Sequence, residues 1–265
     1  MIFYDFEYDG LLLSDFGFIT CSFDSSKTDT VSMGSKITFK TTPVQNGAYQ
    51  ERTSFTYKNM VESTFQICKN VCDPNTSFGL SVDEQREIMR WLNRKEYLPF
   101  RIMNDDYLNI YFEASFNVSK IEINGEVVGF ELDMQTNRPF AVEQERQVTL
   151  KFLEADSEKT VVNLSDDEGS LYPKAIIECN ANGNLIIENS LDDRNVVITN
   201  CSAGEIITLD NPIIESNLNA HEIQNDFNWN FLKLVRNYRE NINKFKVSLP
   251  CTITLTYKPI VKITI

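Results

Sequence analysis

The sequence predicts a mainly β protein of two domains, a β-sandwich or α+β amino-terminal half with one short helix and a β-sandwich carboxy-terminal half. Three observations carry that prediction. Short runs of alternating apolar and polar residues recur along the 265-residue chain, with turn residues between them. The composition is rich in Phe (18) and Tyr (10), which suit a pleated, half-buried surface. One stretch alone has a complete helix-start signal, and no strand–helix–strand rhythm is present, which argues against a parallel α/β layout.

Taken in order, Ile2, Tyr4, Phe6 and Tyr8 share one parity of a first strand, with Asp5 and Glu7 on the other. Asp9-Gly10 suits a tight type I′ turn because both residues tolerate positive φ. Leu11 to Leu13 and Phe16 to Ile19 carry the return, and further alternating runs follow at Ile37/Phe39, Phe55/Tyr57 and Val61/Phe65/Ile67. Ser81-Val82-Asp83-Glu84 is a capping box opening a helix over about 81–94, with Ile88, Met89 and Leu92 on one side and Trp91 near that stripe. Pro99 marks a change, and Leu98, Phe100 and Ile102 read as the next strand.

Asn124-Gly125 predicts a hairpin pairing Ile123 with Glu126. Unbroken register would set Phe116 against Asp133. One extra residue near Ser119 or Lys120 instead puts Val118 opposite Phe130 and Phe116 opposite Leu132, so a β-bulge is expected there; a wider loop is the alternative. A polar, acidic stretch over about 143–170 reads as a linker with one connecting strand, dividing a domain at 1–142 from one at 171–265. In the second half, strands are expected at Ala175–Glu178, Leu185–Glu188, Asn195–Thr199, Glu205–Leu209 and Phe245–Leu249. A final run follows from Ile253, in which Pro259 signals an edge or a kink. Phe227 to Tyr238 is ambiguous and compatible with a short helix.

The formal charge is −13 and no basic stripe is present, so phosphate gripping by counterion release is not expected. No basic-then-apolar leader and no run near 18 apolar residues is seen, so a cytosolic, non-membrane protein is expected. Six cysteines are scattered, and Cys68-x₃-Cys72 lacks the partners of a zinc site; reduced thiols are expected. His221 is the one histidine and reads as a surface or loop residue, since no nucleophile signature accompanies it. Asp166-Asp167-Glu168 and Asp192-Asp193 lack calcium-ligand spacing and read as solvated loops. No catalytic residue, cofactor or metal is assigned, and the protein is expected not to be an enzyme.

Several motifs in order resemble the distal tail proteins of long-tailed bacteriophages. These are Phe6-Glu7-Tyr8-Asp9-Gly10 followed by Leu13-Ser14-Asp15-Phe16-Gly17, the helix ending in Trp91-Leu92 before Tyr97-Leu98-Pro99-Phe100-Arg101, and Asn137-Arg138-Pro139-Phe140-Ala141. In the second half, Tyr172-Pro173, Gly204 to Asp210, Asn241-Ile242 and Ile253 to Tyr257 are similar to that family's galectin-like domain. The resemblance implies a six-fold ring at the virion's tail tip, made in the bacterial host cytoplasm, stacked between the tail-tube protein and the tail-tip hub protein. The second domain would hold receptor-binding or baseplate proteins. Tyr4, Phe6, Trp91, Tyr97 and Phe100 are candidates for the ring or partner contact, ordinary core packing being their other reading. A rival function is a carbohydrate-binding module used in adhesion, for which Trp229, Asn228, Asn230 and His221 are the candidate contacts, because sugar sites want an exposed aromatic ring beside polar side chains.

Overall fold

Alternation and turn chemistry shape the chain as expected from its first described residues onward. The computed structural model describes residues 4–23, 37–43, 50–57, 60–70 and 79–263. Ile2 and Cys72 therefore lie outside the described residues, as do the side chains of Ile37, Phe39, Phe55 and Tyr57. The chain divides into two compact units, residues 1–143 with 261–265, and residues 144–260.

In the first unit, β1 (Phe6–Tyr8) turns through Asp9 (φ 54°) and Gly10 (φ 77°) into β2 (Leu11–Leu12). A 3-10 turn over Leu13–Phe16 follows, then β3 (Phe18–Cys21). β4 (Ile37–Pro43) and β5 (Gln50–Tyr57) pair with each other as a hairpin. Next come β6 (Glu62–Lys69), α1 (Val82–Leu92), β7 (Leu98–Ile102), β8 (Ile110–Ile123), β9 (Glu126–Thr136) and β10 (Ala141–Glu143). The sheet order is β2-β1-β7-β8-β9-β6-β3, with β10 against β8. Its buried face and the apolar side of α1 share one core, which includes Phe6, Tyr8, Ile88, Trp91, Leu92, Phe100, Phe116 and Leu132.

Two expectations need correction here. The bulge in the β8–β9 hairpin is real, but its extra residue lies on the returning strand. The pairing runs Glu122↔Val127 and then Ile121↔Gly129, which leaves Val128 unpaired. Phe116 thus faces Met134 and Val118 faces Leu132, so the apolar set still points inward, because a slip of one residue in either direction restores the same parity. Gly129 explains the location: a Cβ there would meet the Ile67 carbonyl oxygen at 2.4 Å, and only glycine admits so close a backbone. On α1, Trp91 rather than Met89 joins Ile88 and Leu92 in the core.

The second unit begins earlier than expected. Residues read as an acidic linker form β11 (Arg146–Phe152), β12 (Glu158–Val162) and β13 (Gly169–Leu171). β11 is the one connecting strand expected in this stretch, whereas β12 and β13 were not foreseen. There follow β14 (Lys174–Cys179), β15 (Gly183–Asn189), β16 (Asp192–Cys201), β17 (Ile206–Asp210) and β18 (Ile213–Ser216). After these come α2 (Ile223–Asp226), β19 (Leu234–Arg236), β20 (Ile242–Val247) and β21 (Cys251–Tyr257). The ambiguous segment 227–238 thus holds a strand, and the helix precedes it. A five-stranded sheet (β11-β21-β14-β17-β18) and a four-stranded sheet (β12-β20-β15-β16) contribute to one shared core, which makes this unit an antiparallel sandwich. Pro259 marks a break and not an edge: β21 is central, and β22 (Ile260–Val261) follows the interruption and pairs with β10.

Candidate functional site

The five aromatic residues proposed for a ring contact separate into two groups. Phe6, Trp91 and Phe100 are buried in the first unit's core. Phe6 stacks on Trp91 with centroids 5.6 Å apart and touches Phe100 at 5.3 Å. Trp91 donates from Nε1 to the Tyr8 carbonyl at 3.0 Å, so its one polar atom is satisfied inside. Tyr8 donates to the Ala114 carbonyl at 3.3 Å, and burial pushes its hydroxyl up to about 12. These three side chains hold the sheet to the helix and offer no contact surface. Tyr4 and Tyr97, 74% and 49% exposed, are the two that face outward. On the other face of the sheet, Glu7 and Arg101 are cross-strand partners and form an ion pair, with Arg101 also donating to the Leu108 carbonyl and the Tyr111 hydroxyl.

Of the four residues of the proposed sugar contact, the two asparagines are engaged with the protein's own backbone. Asn228 accepts from the Val197 amide at 3.1 Å and donates to the Asn195 carbonyl at 2.8 Å; Asn230 donates to the same carbonyl at 3.1 Å. Both amides thereby satisfy the outer edge of β16, as a further strand would. Trp229 between them adopts φ 59°, a costly backbone for a bulky residue; the residue is 53% exposed, and its ring lies beside those of Phe227 and Phe231.

His221 corrects the surface reading: it sits in a loop, but its side chain is only 7% exposed. Its Nδ1 lies 2.5 Å from Oε1 of Glu205, a carboxylate with no exposed side-chain surface. The opposite nitrogen lies 3.2 Å from Asp226 Oδ2, within ion-pairing reach though not aligned as a hydrogen bond. Ser216 and the Ser202 amide donate to Glu205, while Thr199 and Asn200 donate to Asp226. Burial alone would push His221 down, yet the Glu205 hydrogen bond and charge, with Asp226, outweigh it and hold the imidazole above its ordinary value. Burial likewise opposes ionisation of Glu205, but Ser216, His221 and the Ser202 amide hold it below the usual carboxylate range. A cavity of about 360 Å³ opens beside this cluster, lined partly by Asn200, Ser202, Leu218 and Glu222.

Chemically the cluster is a clamp. Both imidazole nitrogens face carboxylates, so the ring is not aimed at a hydroxyl or thiol as a general base. It ties the segment around α2 to the turn between β16 and β17. Sequence inspection missed Glu205 and Asp226, because nothing in their spacing relates them to a histidine 16 residues from one and 5 from the other. Asp192 also departs from expectation: its side chain is 12% exposed and reaches Lys233 and Arg194. Among the described residues, no group of His, Cys, Asp and Glu is placed to hold a metal ion. Likewise, no helix there is long and apolar enough to cross a membrane.

No curated protein matches the sequence. Among solved structures, the Dit protein (gp 19.1) of phage SPP1, described as a paradigm of the hub adsorption apparatus in phages infecting Gram-positive bacteria, superposes with a TM-score of 0.67. That match is 13% identical and covers 97% of this chain and 99% of the other, so it establishes a shared fold. Two family profiles account for nearly the whole sequence, a phage tail protein N-terminal domain over residues 1–138 and a phage tail C-terminal domain over residues 140–257. The chain belongs to this family of phage tail proteins.

Proposed function

We propose that this chain is the distal tail protein of its phage, a non-catalytic component that closes into a six-membered ring at the tail tip. The ring would join the tail-tube protein above to the tail-tip hub below, with the second unit carrying receptor-binding or baseplate proteins. The observation that carries this reading is the end-to-end structural match to a hub protein, which leaves neither unit unaccounted for. A head-to-tail contact that closes on itself is the symmetry such a collar needs. Tyr4 and Tyr97 are the exposed aromatics of the first unit offered for that contact. Light scattering of the purified chain over a range of concentrations tests the ring. Six copies of the 30.5 kDa chain, about 183 kDa, are expected, alone or once a tube or hub partner is added. A monomer in every such mixture would end the proposal.

One observation favours a second reading, a carbohydrate contact: an exposed Trp229 held in a strained backbone, since strain persists where surroundings or function maintain it. Only Trp229 would stack on a sugar, because the Asn228 and Asn230 amides are already engaged with β16. A glycan array probed with the unaltered chain and with Trp229→Ala separates the readings, as signal lost in the variant would support the contact.

A further inference from the structure

Two of the described cysteines stand side by side in the five-stranded sheet of the second unit. Cys179 ends β14, Cys251 begins β21, and the register of these neighbouring strands sets the two residues opposite each other. Both belong to the sandwich core and are 0% exposed. The hydrogen bonds around them show which kind of pair this is. One residue further out, Asn180 donates from its amide to the Pro250 carbonyl at 2.9 Å. Antiparallel ladders alternate, so the next pair inward, Cys179 with Cys251, exchanges no backbone hydrogen bond. The Cys179 backbone agrees with this. Its amide donates to the Glu205 carbonyl at 2.9 Å and its carbonyl accepts from the Gly204 amide at 2.7 Å, both on the β17 side of β14. In a pair of that kind the α-carbons stand about 4.5 Å apart and the side chains approach most closely. That separation falls inside the roughly 4.4–6.8 Å that a disulfide spans. Cys201, also buried in this unit, lies on β16 in the other sheet, where its thiol donates to the Ile198 carbonyl of its own strand at 3.5 Å.

We propose that Cys179 and Cys251 form a modification site, joined by an intramolecular cross-strand disulfide when the protein meets a peroxide. With hydrogen peroxide, one thiolate attacks an oxygen, the O–O bond breaks, and a sulfenic acid and water result. The second thiolate attacks that sulfur, the S–S bond forms, the S–O bond breaks, and a second water leaves. The two thiols lose two electrons and the peroxide gains them. The pair is the last row of the β14–β21 ladder before the exposed Asn180, so fraying at that end of the sheet admits the reagent. Burial pushes the Cys251 thiol up to about 12, which keeps its thiolate scarce at neutral pH and the reaction slow. A tail protein is made in a reducing cytoplasm but persists on a released particle in an oxidising medium, so the bond would form after assembly. It would enclose β15 to β20 in one covalent loop, and restricting the unfolded chain in that way favours the folded unit.

The test uses the full chain, purified reduced and divided in two, with one half incubated folded in hydrogen peroxide. Both halves are then quenched in acid, unfolded, alkylated, digested and analysed by mass spectrometry. The expected product is a linked peptide pair containing Cys179 and Cys251, with the intact chain lighter by about 2 Da for the two hydrogens lost. The melting temperature should rise, and a reducing agent should reverse the rise. Cys201→Ala should retain the link and the rise, and Cys251→Ala should lose both. A Cys179–Cys201 or Cys201–Cys251 peptide as the main link, links only between chains, or Cys179 and Cys251 fully alkylatable after oxidation would overturn the proposal. Peptide mapping of the unaltered chain decides the matter even if a variant fails to fold.

Discussion

His221 lies between two carboxylates, and its titration has a definite consequence for stability. Its folded value is raised, so its contribution is complete below the ordinary value of 6.5 and is lost as pH rises through the folded value. Glu205 is lowered, so its contribution is present above its ordinary 4.5 and is lost as pH falls through the folded value. The second unit should therefore melt highest between about pH 4.5 and 6.5, with stability declining on either side. Thermal melts across pH 3 to 9, compared with His221→Gln, check this: the variant should lose the decline above pH 6.5. An unchanged alkaline limb would remove the clamp as its cause. At this scale the sequence was least informative. His221 was visible as the one histidine, but Glu205 and Asp226 reach it only through turns whose geometry no local motif announces.

Local elements were more legible, because their signals are short-range. Ser81 and Glu84 form the expected reciprocal cap: Glu84 donates from its amide to the Ser81 hydroxyl at 3.3 Å, and Ser81 donates from its amide to the Glu84 carboxylate at 2.7 Å. Glu84 also meets the nearly buried Lys69 at 2.7 Å, a contact that sequence could not foresee. Ser81→Ala should cost about 1 kcal/mol, measured by denaturant unfolding of the full chain. The β8–β9 hairpin shows where legibility stops. Its turn and its need for an odd residue follow from alternation, but either strand can supply that residue with the same parity. The choice falls to Gly129 through its approach to the Ile67 carbonyl, a contact between residues distant in sequence. Gly129→Ala should destabilise the first unit by about 1–3 kcal/mol or more, since the obstacle is backbone and cannot swing aside. A variant as stable as the parent would show that the bulge relaxes freely.

For the whole molecule, two units of antiparallel sheet were legible in composition and turn spacing, whereas the start of the second, expected at 171, differs from the observed 144. Strands β12 and β13 are framed by Glu, Asp and Lys, and short strands in such polar surroundings do not stand out from a loop. The ends of the chain were misjudged for a different reason: residues beyond Ile260 continue an alternating pattern but belong to the first unit, where Val261 and Ile263 pack against its core. Deleting residues 261–265 should lower the melting of the first unit and leave that of the second nearly unchanged. Calorimetry resolving two transitions checks this, and a loss confined to the second transition would contradict it.

That return of the chain also has a mechanical side. The second unit is spliced into the first, leaving through β10 and coming back through β22, and these two strands pair with each other. A tug on the second unit therefore travels down two adjacent tethers at once instead of unzipping a single terminal strand. The same arrangement lets the inserted unit be exchanged for another body with neighbouring ends while the scaffold beneath it stays as it is.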